Sequence, residues 1–254
     1  MKTFLLALSA CTLAALTSYG QTSQPDSVVV SPLKPLAGKL ATELNVNPFN
    51  GTISLNNSLN QLKFRYFAKT DLALRLGFNG SKDSRRLESS NAYGTNAYDN
   101  KDERSSSTIG VNAGIEKHFK GTRRLSPYIG ADLVLEKRTS EQEITSGNST
   151  TTITGAWRES SYSSGYPSQT YYTFMQQGYS RYGLNLVTGF DFYMAKNLFF
   201  GYEASFGFSK RSMDDIEVKQ SDSSNSPSNS ADVTNTSFSF GPSLMNGVRI
   251  GYVF

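Results

Sequence analysis

The residue of this chain best suited to acid–base or nucleophilic chemistry is His118, the one histidine among 254 residues. A catalytic nucleophile needs a base within hydrogen-bond reach, and Lys120, two positions after His118, offers no serine partner. The one cysteine, Cys11, lies near the amino terminus, and a lone histidine without further cysteines does not make up a zinc ligand set. We therefore predict no enzyme activity, no metal site and no cofactor.

Charged residues occur at alternating positions within otherwise apolar segments. In the stretch DLALRLGF, Leu74 and Leu76 share one face of an extended strand, and Arg75 falls on the other. The same alternation places these side chains on a polar face: Glu43, Lys63, Arg65, Arg75, Glu116, Asp132, Asp191, Glu203 and Arg249, with Lys39, Asp71 and Glu136 in the same phase. Because both signs are present and buried unpaired charge is costly, we expect the first nine to form one network of ion pairs.

A third group of residues suits recognition rather than catalysis. Residues 139–177 are rich in Tyr, Ser and Gly, and they hold the one tryptophan of the chain. Rigid aromatic side chains supply contact area at low entropic cost. The candidate binding residues are Trp157, Tyr162, Tyr166, Tyr171 and Tyr172. The segment also alternates in STTTITGAW, so an extension of the strands is an equally good interpretation.

The amino terminus predicts export from the cytoplasm. Lys2 precedes the apolar run FLLALSACTLAALTSYG, which is typical of a secretory signal peptide over residues 1–20. The letters LSAC, ending at Cys11, resemble a lipoprotein cleavage motif, but cleavage there would leave an unusually short signal. Residues 21–36 are polar and contain prolines, and they are predicted to form a periplasmic linker. Within them, Ser27 fits a short Asp-Ser-aliphatic pattern of O-glycosylation of the Bacteroidetes kind.

The rest of the chain, residues 37–254, predicts strands only. Period-two patterns indicate eight of them, at 38–48, 59–67, 71–80, 106–119, 127–138, 178–194, 197–209 and 236–254. Short connections at 68–70, 120–126 and 195–196 alternate with longer polar ones at 49–58, 81–105, 139–177 and 210–235. Short turns on one rim and long loops on the other are typical of an all-β, eight-stranded antiparallel up-and-down transmembrane β-barrel.

The mean hydropathy of −0.40 does not contradict a membrane location, because half of each barrel strand faces a polar interior. Aromatic residues cluster near the short turns, as expected for a belt at the lipid–water interface. This belt comprises Tyr66, Phe67, Phe119, Tyr128, Phe192, Tyr193, Phe199, Phe200, Tyr252 and Phe254. A second belt, about one membrane thickness away, would include Phe78, Tyr179, Tyr182, Phe206 and Phe208.

The carboxyl terminus carries a family resemblance. Terminal Phe254, with Tyr252 and Ile250 at alternating positions before it, resembles the signal that the barrel-assembly machinery recognises. The stretch LKFRYFAKTDLALRLGF is similar to small outer-membrane β-barrel proteins of the Bacteroidetes kind, in the broad OmpA/OmpX-like class. The resemblance implies an outer-membrane location with periplasmic termini and extracellular loops. Since the chain stops at the predicted barrel, no periplasmic peptidoglycan-binding domain is expected.

These observations favour a non-enzymatic outer-membrane protein with a structural role or a binding role for its surface loops, either adhesin-like or as an accessory subunit. The first alternative is a small porin for ions or small solutes, and the second is a lipid-modifying enzyme. The expected partners are outer-membrane lipid, the assembly machinery during biogenesis, and an extracellular ligand or another outer-membrane protein. The net charge of +4 is dispersed along the chain, so nucleic acid is not an expected partner.

Overall fold

The computed structural model describes residues 33–46, 62–91, 98–163, 169–221, 229–231, 235–244 and 248–254. All of these lie in Pro32–Phe254, one of two units into which the chain divides. The predicted signal peptide, nearly all of the predicted linker and the candidate glycosylation site Ser27 fall outside the described residues. Within these ranges, no helix is long and apolar enough to cross a lipid bilayer.

The described residues are almost entirely extended, and they form β-strands joined by short turns. In chain order the strands are β1 Leu40–Val46, β2 Leu62–Lys69, β3 Leu72–Asn91, β4 Tyr98–His118, β5 Leu125–Ser146, β6 Ser149–Thr154, β7 Ala156–Ser163, β8 Gln169–Gln176, β9 Tyr179–Ala195, β10 Leu198–Met213, β11 Ile216–Gln220, β12 Asn229–Ala231, β13 Thr236–Leu244 and β14 Val248–Val253. Every pairing among them is antiparallel, which confirms the predicted all-β antiparallel fold.

The main sheet follows the chain order for most of its width. β1 pairs with β2, and the pairing continues through β3, β4 and β5 to β9 and β10. β10 then pairs with both β13 and β14, and β14 pairs with β1. The closing pair is much shorter than the long β3–β4 ladder, since it runs only from Ala41↔Val253 to Val46↔Val248. Among the described residues, β13 pairs on one side only.

The short connections lie close to the predicted positions, displaced by one or two residues. β2 and β3 are joined at residues 70–71, and β4 and β5 at residues 119–124. β9 and β10 are joined through Lys196 and Asn197, and Asn197 has a φ of 70°. Asparagine tolerates this left-handed conformation, which suits a two-residue hairpin turn.

The long loop predicted at 81–105 is largely wrong, and for 139–177 the structure agrees with the other interpretation, an extension of the strands. β3 and β4 continue as one paired ladder up to Asn91↔Tyr98. β5 likewise runs on to Ser146, and the segment after it forms β6 and the separate β7–β8 hairpin. β10 and β11 also occupy part of the predicted 210–235 loop. The extensions of β3 and β4 carry polar side chains on both faces, so they lack the apolar alternation by which a strand is recognised in sequence, whereas the alternation in STTTITGAW did indicate β6.

Inside the ring of strands, the end near the short turns is filled by a small apolar core. It consists of Ala41, Phe67, Ala73, Tyr193, Phe199 and Val253, with Leu33 packed against it. The prediction that Phe67, Tyr193, Phe199 and Tyr128 belong to the outer aromatic belt is therefore wrong, because all four are buried. Each of them shares the inward phase of its strand, whereas Tyr66, Phe192 and Phe200 point outward.

A second small core lies at the far end of the sheet. Ile153, Ala156 and Ile216 are buried there, and Ile144 and Val218 pack against them. Gly155 turns the chain from β6 into β7 with a φ of +83°, and a Cβ at this position would lie 2.2 Å from the carbonyl oxygen of Asp215. Both the conformation and the contact require glycine at this position.

We predict that Gly155→Ala loosens this corner, because alanine adds both a backbone cost of about 1 kcal/mol and a clash. Amide hydrogen exchange at residues 153–156 and 216–218 should accelerate at least tenfold. The matched control is Gly147→Ala, since Gly147 has a φ of +58° but open space around its Cβ position. Equal acceleration at both corners would show that the clash has no effect.

Candidate functional site

The nine charged residues singled out from the sequence meet in one buried cluster, which we call the charge network: Glu43, Lys63, Arg65, Arg75, Glu116, Asp132, Asp191, Glu203 and Arg249. They come from β1, β2, β3, β4, β5, β9, β10 and β14, so nearly every strand of the ring contributes one or two. Each of the nine is at most 5% exposed. Their inward direction follows from the period of two, because their chain neighbours point outward.

One half of the charge network is centred on Arg65 and Arg249. Arg65 Nη1 lies 2.9 Å from Glu116 Oε1 and 2.7 Å from Asp191 Oδ2, while its Nη2 lies 3.2 Å from Glu43 Oε2. Arg249 Nη1 donates to both oxygens of Glu43 at 3.0 Å, and its Nη2 donates to Asp191 Oδ1 at 2.9 Å. The planar guanidinium groups thus bridge carboxylates on three different strands.

The other half surrounds Glu203. Lys63 Nζ lies 3.1 Å from Glu203 Oε1, Arg75 Nη2 donates to the same oxygen at 3.0 Å, and the Tyr128 hydroxyl donates to Glu203 Oε2 at 2.6 Å. Arg75 Nε also lies 3.0 Å from Asp132 Oδ1, an ion pair without hydrogen-bond geometry. Four cations and five carboxylates therefore compensate one another almost completely.

Three further charged residues share the predicted phase but lie elsewhere. Lys39 is exposed, and Asp71 pairs with Lys117 on the outside of the turn between β2 and β3, so neither joins the charge network. Glu136 also faces inward, but it lies farther from the short turns than the charge network does. There Arg181 Nη2 and the Tyr179 hydroxyl donate hydrogen bonds to it at 3.1 and 2.8 Å.

His118 has a hydrogen-bonding partner that the sequence reasoning missed. Its Nδ1 lies 2.9 Å from Ser126 Oγ, and its Nε2 lies 2.9 Å from Glu116 Oε1. Ser126 sits diagonally across the β4–β5 ladder, in which His118 pairs with Tyr128. Sequence reasoning placed Ser126 in the turn, so the register that brings it to His118 was not apparent.

The serine, histidine and glutamate are arranged in the order of a nucleophilic triad, yet their surroundings are those of a packed interior. Ser126 is 6% exposed, and the imidazole is held between the rings of Phe67 and Tyr128 at 5.6 and 5.2 Å. Glu116 is also bound by Arg65 and Arg75. The three side chains therefore extend the charge network toward the apolar core. Within the described ranges, no three His, Cys, Asp or Glu side chains are grouped to hold a metal ion.

Four of the five candidate binding residues, all except Tyr166, lie on the β7–β8 hairpin, which forms a two-stranded sheet of its own. Arg104 on β4 joins the hairpin to the main sheet: its Nη1 lies 2.5 Å from Glu159 Oε1, and its guanidinium lies 5.8 Å from the Trp157 ring centroid. Gln142 accepts a hydrogen bond of 2.6 Å from the Arg158 backbone nitrogen. Partial burial acts to lower the pKa of Arg104, but the hydrogen bonds to Asp102 and Glu159 raise it above its usual value.

The candidate binding residues on the hairpin differ in their exposure. Trp157 packs toward β4 and serves to hold the hairpin, whereas Tyr171 and Tyr172 are more than half exposed. Phe174, another aromatic residue of the same segment, and Met175, which the sequence did not single out, are exposed beside them. Tyr162 pairs with Thr170 in the hairpin, and Tyr166 falls outside the described residues.

The carboxyl-terminal residues lie on the outside of the ring. Ile250, Tyr252 and Phe254 are exposed on the outward face of the last strand, and the rings of Tyr252 and Phe254 contact each other at 5.0 Å. The Phe254 backbone nitrogen donates a 2.7 Å hydrogen bond to the carbonyl oxygen of Leu40. The chain end is therefore tied to the first strand.

Comparison with solved structures found similar chains at low sequence identity. Two of them are the attachment invasion locus protein Ail of Yersinia pestis, at 15% identity, and CarO of Acinetobacter baumannii, at 12%. Each covers 86% of this chain, and the alignment covers 100% of Ail and 96% of CarO, with TM-scores of 0.27 and 0.26. Both are small outer-membrane β-barrel proteins. Because these TM-scores are low, the assignment of the fold depends on the strand pairing of this chain itself.

No protein-family model matches the sequence, and no curated protein matches it either.

The charge network yields a prediction about stability. Arg249→Met leaves Glu43 and Asp191 buried with one cation fewer, and breaking a buried network in this way costs about 3–5 kcal/mol. The midpoint of urea unfolding in lipid vesicles should fall accordingly. The double variant Arg249→Met/Glu43→Gln should recover part of the loss, since it removes one uncompensated charge.

The control is Lys117→Met, which breaks an exposed pair with Asp71 on the outside of the sheet. Exposed pairs contribute between zero and about 1 kcal/mol. A similar loss for both variants would contradict the assignment of the network as the buried stabilising element.

Proposed function

We propose that residues 37–254 form an eight-stranded up-and-down barrel in the bacterial outer membrane and that the protein acts without enzymatic activity by presenting its extended strands and the β7–β8 hairpin to a partner. The barrel wall consists of β1 to β5, β9 and β10, with β13 and β14 together as the eighth strand. Both termini then lie in the periplasm with the short turns, and the extensions lie outside the cell.

The observation that carries this proposal is the reversed polarity of the ring. Ile109, Leu133 and Leu135 are more than 60% exposed on its outside, whereas Arg65, Asp191 and Arg249 are fully buried inside it. A protein surrounded by water buries the first kind of residue and exposes the second. Contiguous exposed apolar residues around a polar interior are what a bilayer requires.

The height of the apolar band supports the same proposal. On β5 the outward positions from Leu125 to Leu135 are apolar, and the next outward position is Lys137. The five two-residue steps between these six outward positions span about 33 Å along the strand, which a tilt of roughly 40° reduces to about 25 Å. This is the height of the apolar band in outer-membrane barrels.

The interior argues against the porin alternative. An eight-stranded barrel is only wide enough for side chains to fill it, and here the charge network and the apolar core below it occupy the lower half of the ring. A conduit would need these ion pairs to separate. The lipid-modifying alternative would need a nucleophile in reach of lipid, and Ser126, the hydroxyl bound to His118, faces the interior.

Substituting outward leucines tests the membrane assignment. Leu133 is 62% exposed, so an arginine at this position would hardly change the free energy of unfolding if the surface met water. In a bilayer the same substitution should lower the free energy of unfolding by about 2–4 kcal/mol. Leu133→Arg should therefore lower both the urea midpoint in vesicles and the amount of folded protein in the outer-membrane fraction. Leu87→Arg is the control, since Leu87 is 49% exposed but lies in the polar extension of β3.

Folded protein should also resist SDS at room temperature and change its migration on boiling. If Leu133→Arg behaves like Leu87→Arg and boiling does not alter migration, the barrel proposal is wrong.

The contacts that fix the β7–β8 hairpin support the proposed binding role. Arg104 and Gln142 fix one side of it, and Arg158 lies 4.7 Å from the ring centroid of Tyr172, which holds this exposed ring in place. Aromatic side chains that are both exposed and held in position are frequent hot spots of binding. The partner is either an extracellular ligand or another outer-membrane protein.

We predict that the double variant Tyr172→Ala/Phe174→Ala loses the partner captured by the wild-type protein from detergent-solubilised outer membranes or from host-cell surfaces. Trp157→Ala should weaken capture less, because Trp157 supports the hairpin from behind. Excising residues 157–175 and joining Ala156 to Gln176 through Asn-Gly should abolish capture and leave heat-modifiable migration intact, since the two residues already pair across the hairpin.

The control is Ser160→Ala, because Ser160 lies directly opposite Tyr172 in the hairpin. Unchanged capture after the excision would refute the binding role of the hairpin, and failure of the excised protein to fold would show that the hairpin is part of the wall.

A further inference from the structure

Three arginines gather on the inner wall above the charge network, and the proposed function does not use them. Arg138 on β5, Arg181 on β9 and Arg211 on β10 share the inward phase of their strands with Asp132, Asp191 and Glu203. Glu136, Arg181 and Arg211 occupy one row across three adjacent strands, and Arg138 lies in the next row, opposite Tyr179.

The arginines exceed the carboxylates that they contact. Glu136 is the one acidic partner, and its two oxygens are already bound by Arg181 and Tyr179. Arg138 donates to the Ser106 hydroxyl at 3.1 Å, and the Arg211 guanidinium lies 4.4 Å from the Tyr179 ring centroid. Among the described residues, neither Arg138 nor Arg211 forms an ion pair. Arg138, Arg181, Arg211 and Glu136, which we call the arginine layer, therefore carry an excess of two positive charges. The charge network, which lies closer to the short turns, is nearly neutral.

This excess is unfavourable for the protein alone. Arg181 and Arg211 are direct cross-strand partners, whose Cβ atoms lie about 4.5–5.5 Å apart, and like charges in this position destabilise a sheet. The Nε atoms of Arg138 and Arg181 are also buried without a hydrogen-bond acceptor. A bound anion would remove both costs at once.

The rows below and beside the arginines carry mostly short, uncharged side chains. The inward positions of the next rows on β9, β10 and β13 are small, namely Gly183, Ser209, Ser239 and Gly241. A Cβ at Gly241 would meet no atom within 4 Å. The facing positions on β3 and β4, Asn79, Ser81 and Thr108, are uncharged, and the first carboxylate above them on β3 is Asp83. The Arg181 side chain is 32% exposed, so solutes can reach the layer from the open end.

We propose that Arg138, Arg181 and Arg211 form a binding site for a multiply charged oxyanion of the phosphate class, entered from the end of the barrel opposite the short turns. Guanidinium groups bind phosphate oxygens through paired N–H donors, and three of them on one wall suit a phosphate or pyrophosphate group better than a single carboxylate. The site faces the interior, so its ligand is a dissolved phosphate compound rather than the phosphate of a surrounding lipid.

Isothermal titration of the folded mature protein in a nonionic detergent tests the site, with pyrophosphate as the probe and inorganic phosphate for comparison. We expect saturable binding that weakens as salt is added. Arg211→Gln and Arg138→Gln should each raise the dissociation constant at least tenfold. The matched control is Lys210→Gln, which removes the same charge from the neighbouring position of β10, where the side chain points outward beside Tyr182.

Equal weakening by Lys210→Gln and Arg211→Gln, or no binding at millimolar pyrophosphate, would overturn the site. If Arg211→Gln does not fold, the wild-type protein gives the answer, because pyrophosphate should raise its SDS dissociation temperature while chloride of the same ionic strength should not. Competition by lipid A bilayers, with sensitivity to Lys210→Gln, would overturn the dissolved source and identify a lipid phosphate as the ligand. Heat-modifiable migration in every sample separates failure of this site from failure of the barrel itself.

Discussion

The pairing of charges inside the ring is the constraint on which the rest of the structure depends. Strands that turn apolar side chains outward on every second residue must turn the intervening residues inward. In this chain the inward residues include four cations and five carboxylates that are almost completely removed from water. Such groups are tolerated only when each finds a partner of opposite charge in good geometry. Because the partners lie on different strands, the network specifies which strands are neighbours and in which register they pair.

The register set by these pairs extends in both directions along the strands. Toward the short turns, the same inward phase places Phe67, Tyr193 and Phe199 in an apolar core, and the guanidinium of Arg65 lies 4.7 Å from the Phe199 ring centroid, where the two regions meet. Toward the other end, the inward phase brings Arg138, Arg181 and Arg211 onto one wall. One alternation therefore produces an apolar core, a compensated ionic layer and a positively charged layer in succession.

Beyond the apolar band, the strands are held by the backbone ladder and by polar side chains rather than by burial. The β3–β4 ladder continues to Asn91↔Tyr98, well past the last outward apolar residues. Two sets of contacts hold this region together: the packing of Ile153, Ala156 and Ile216 in a small core, and the ion pair by which Arg104 attaches the β7–β8 hairpin. The exposed tyrosines therefore lie on a supported hairpin and not on a free loop.

The sequence by itself determined the class of the fold and the membership of the charge network. Strict alternation identifies β2, β3 and β9 and the polar face of each, because the period of a strand does not depend on its neighbours. It also located the short turns to within one or two residues. What alternation could not detect were strands with polar residues on both faces, such as the upper parts of β3 and β4, where only pairing with a neighbour reveals the extended backbone.

Contacts across strands were decided by the tertiary structure alone. The face on which a residue lies was not: Phe67 and Tyr193 share the alternation phase of Arg65 and Asp191, so the period of two already places them inside, and the prediction of an outer belt failed because it counted aromatic residues near the turns without regard to their phase. The hydrogen bond between Ser126 and His118 depends on the register of the β4–β5 hairpin, and the meeting of Arg138, Arg181 and Arg211 depends on the registers of β5, β9 and β10. Sequence periodicity specifies the face on which a side chain lies, but only the alignment of neighbouring strands specifies the height at which it meets another.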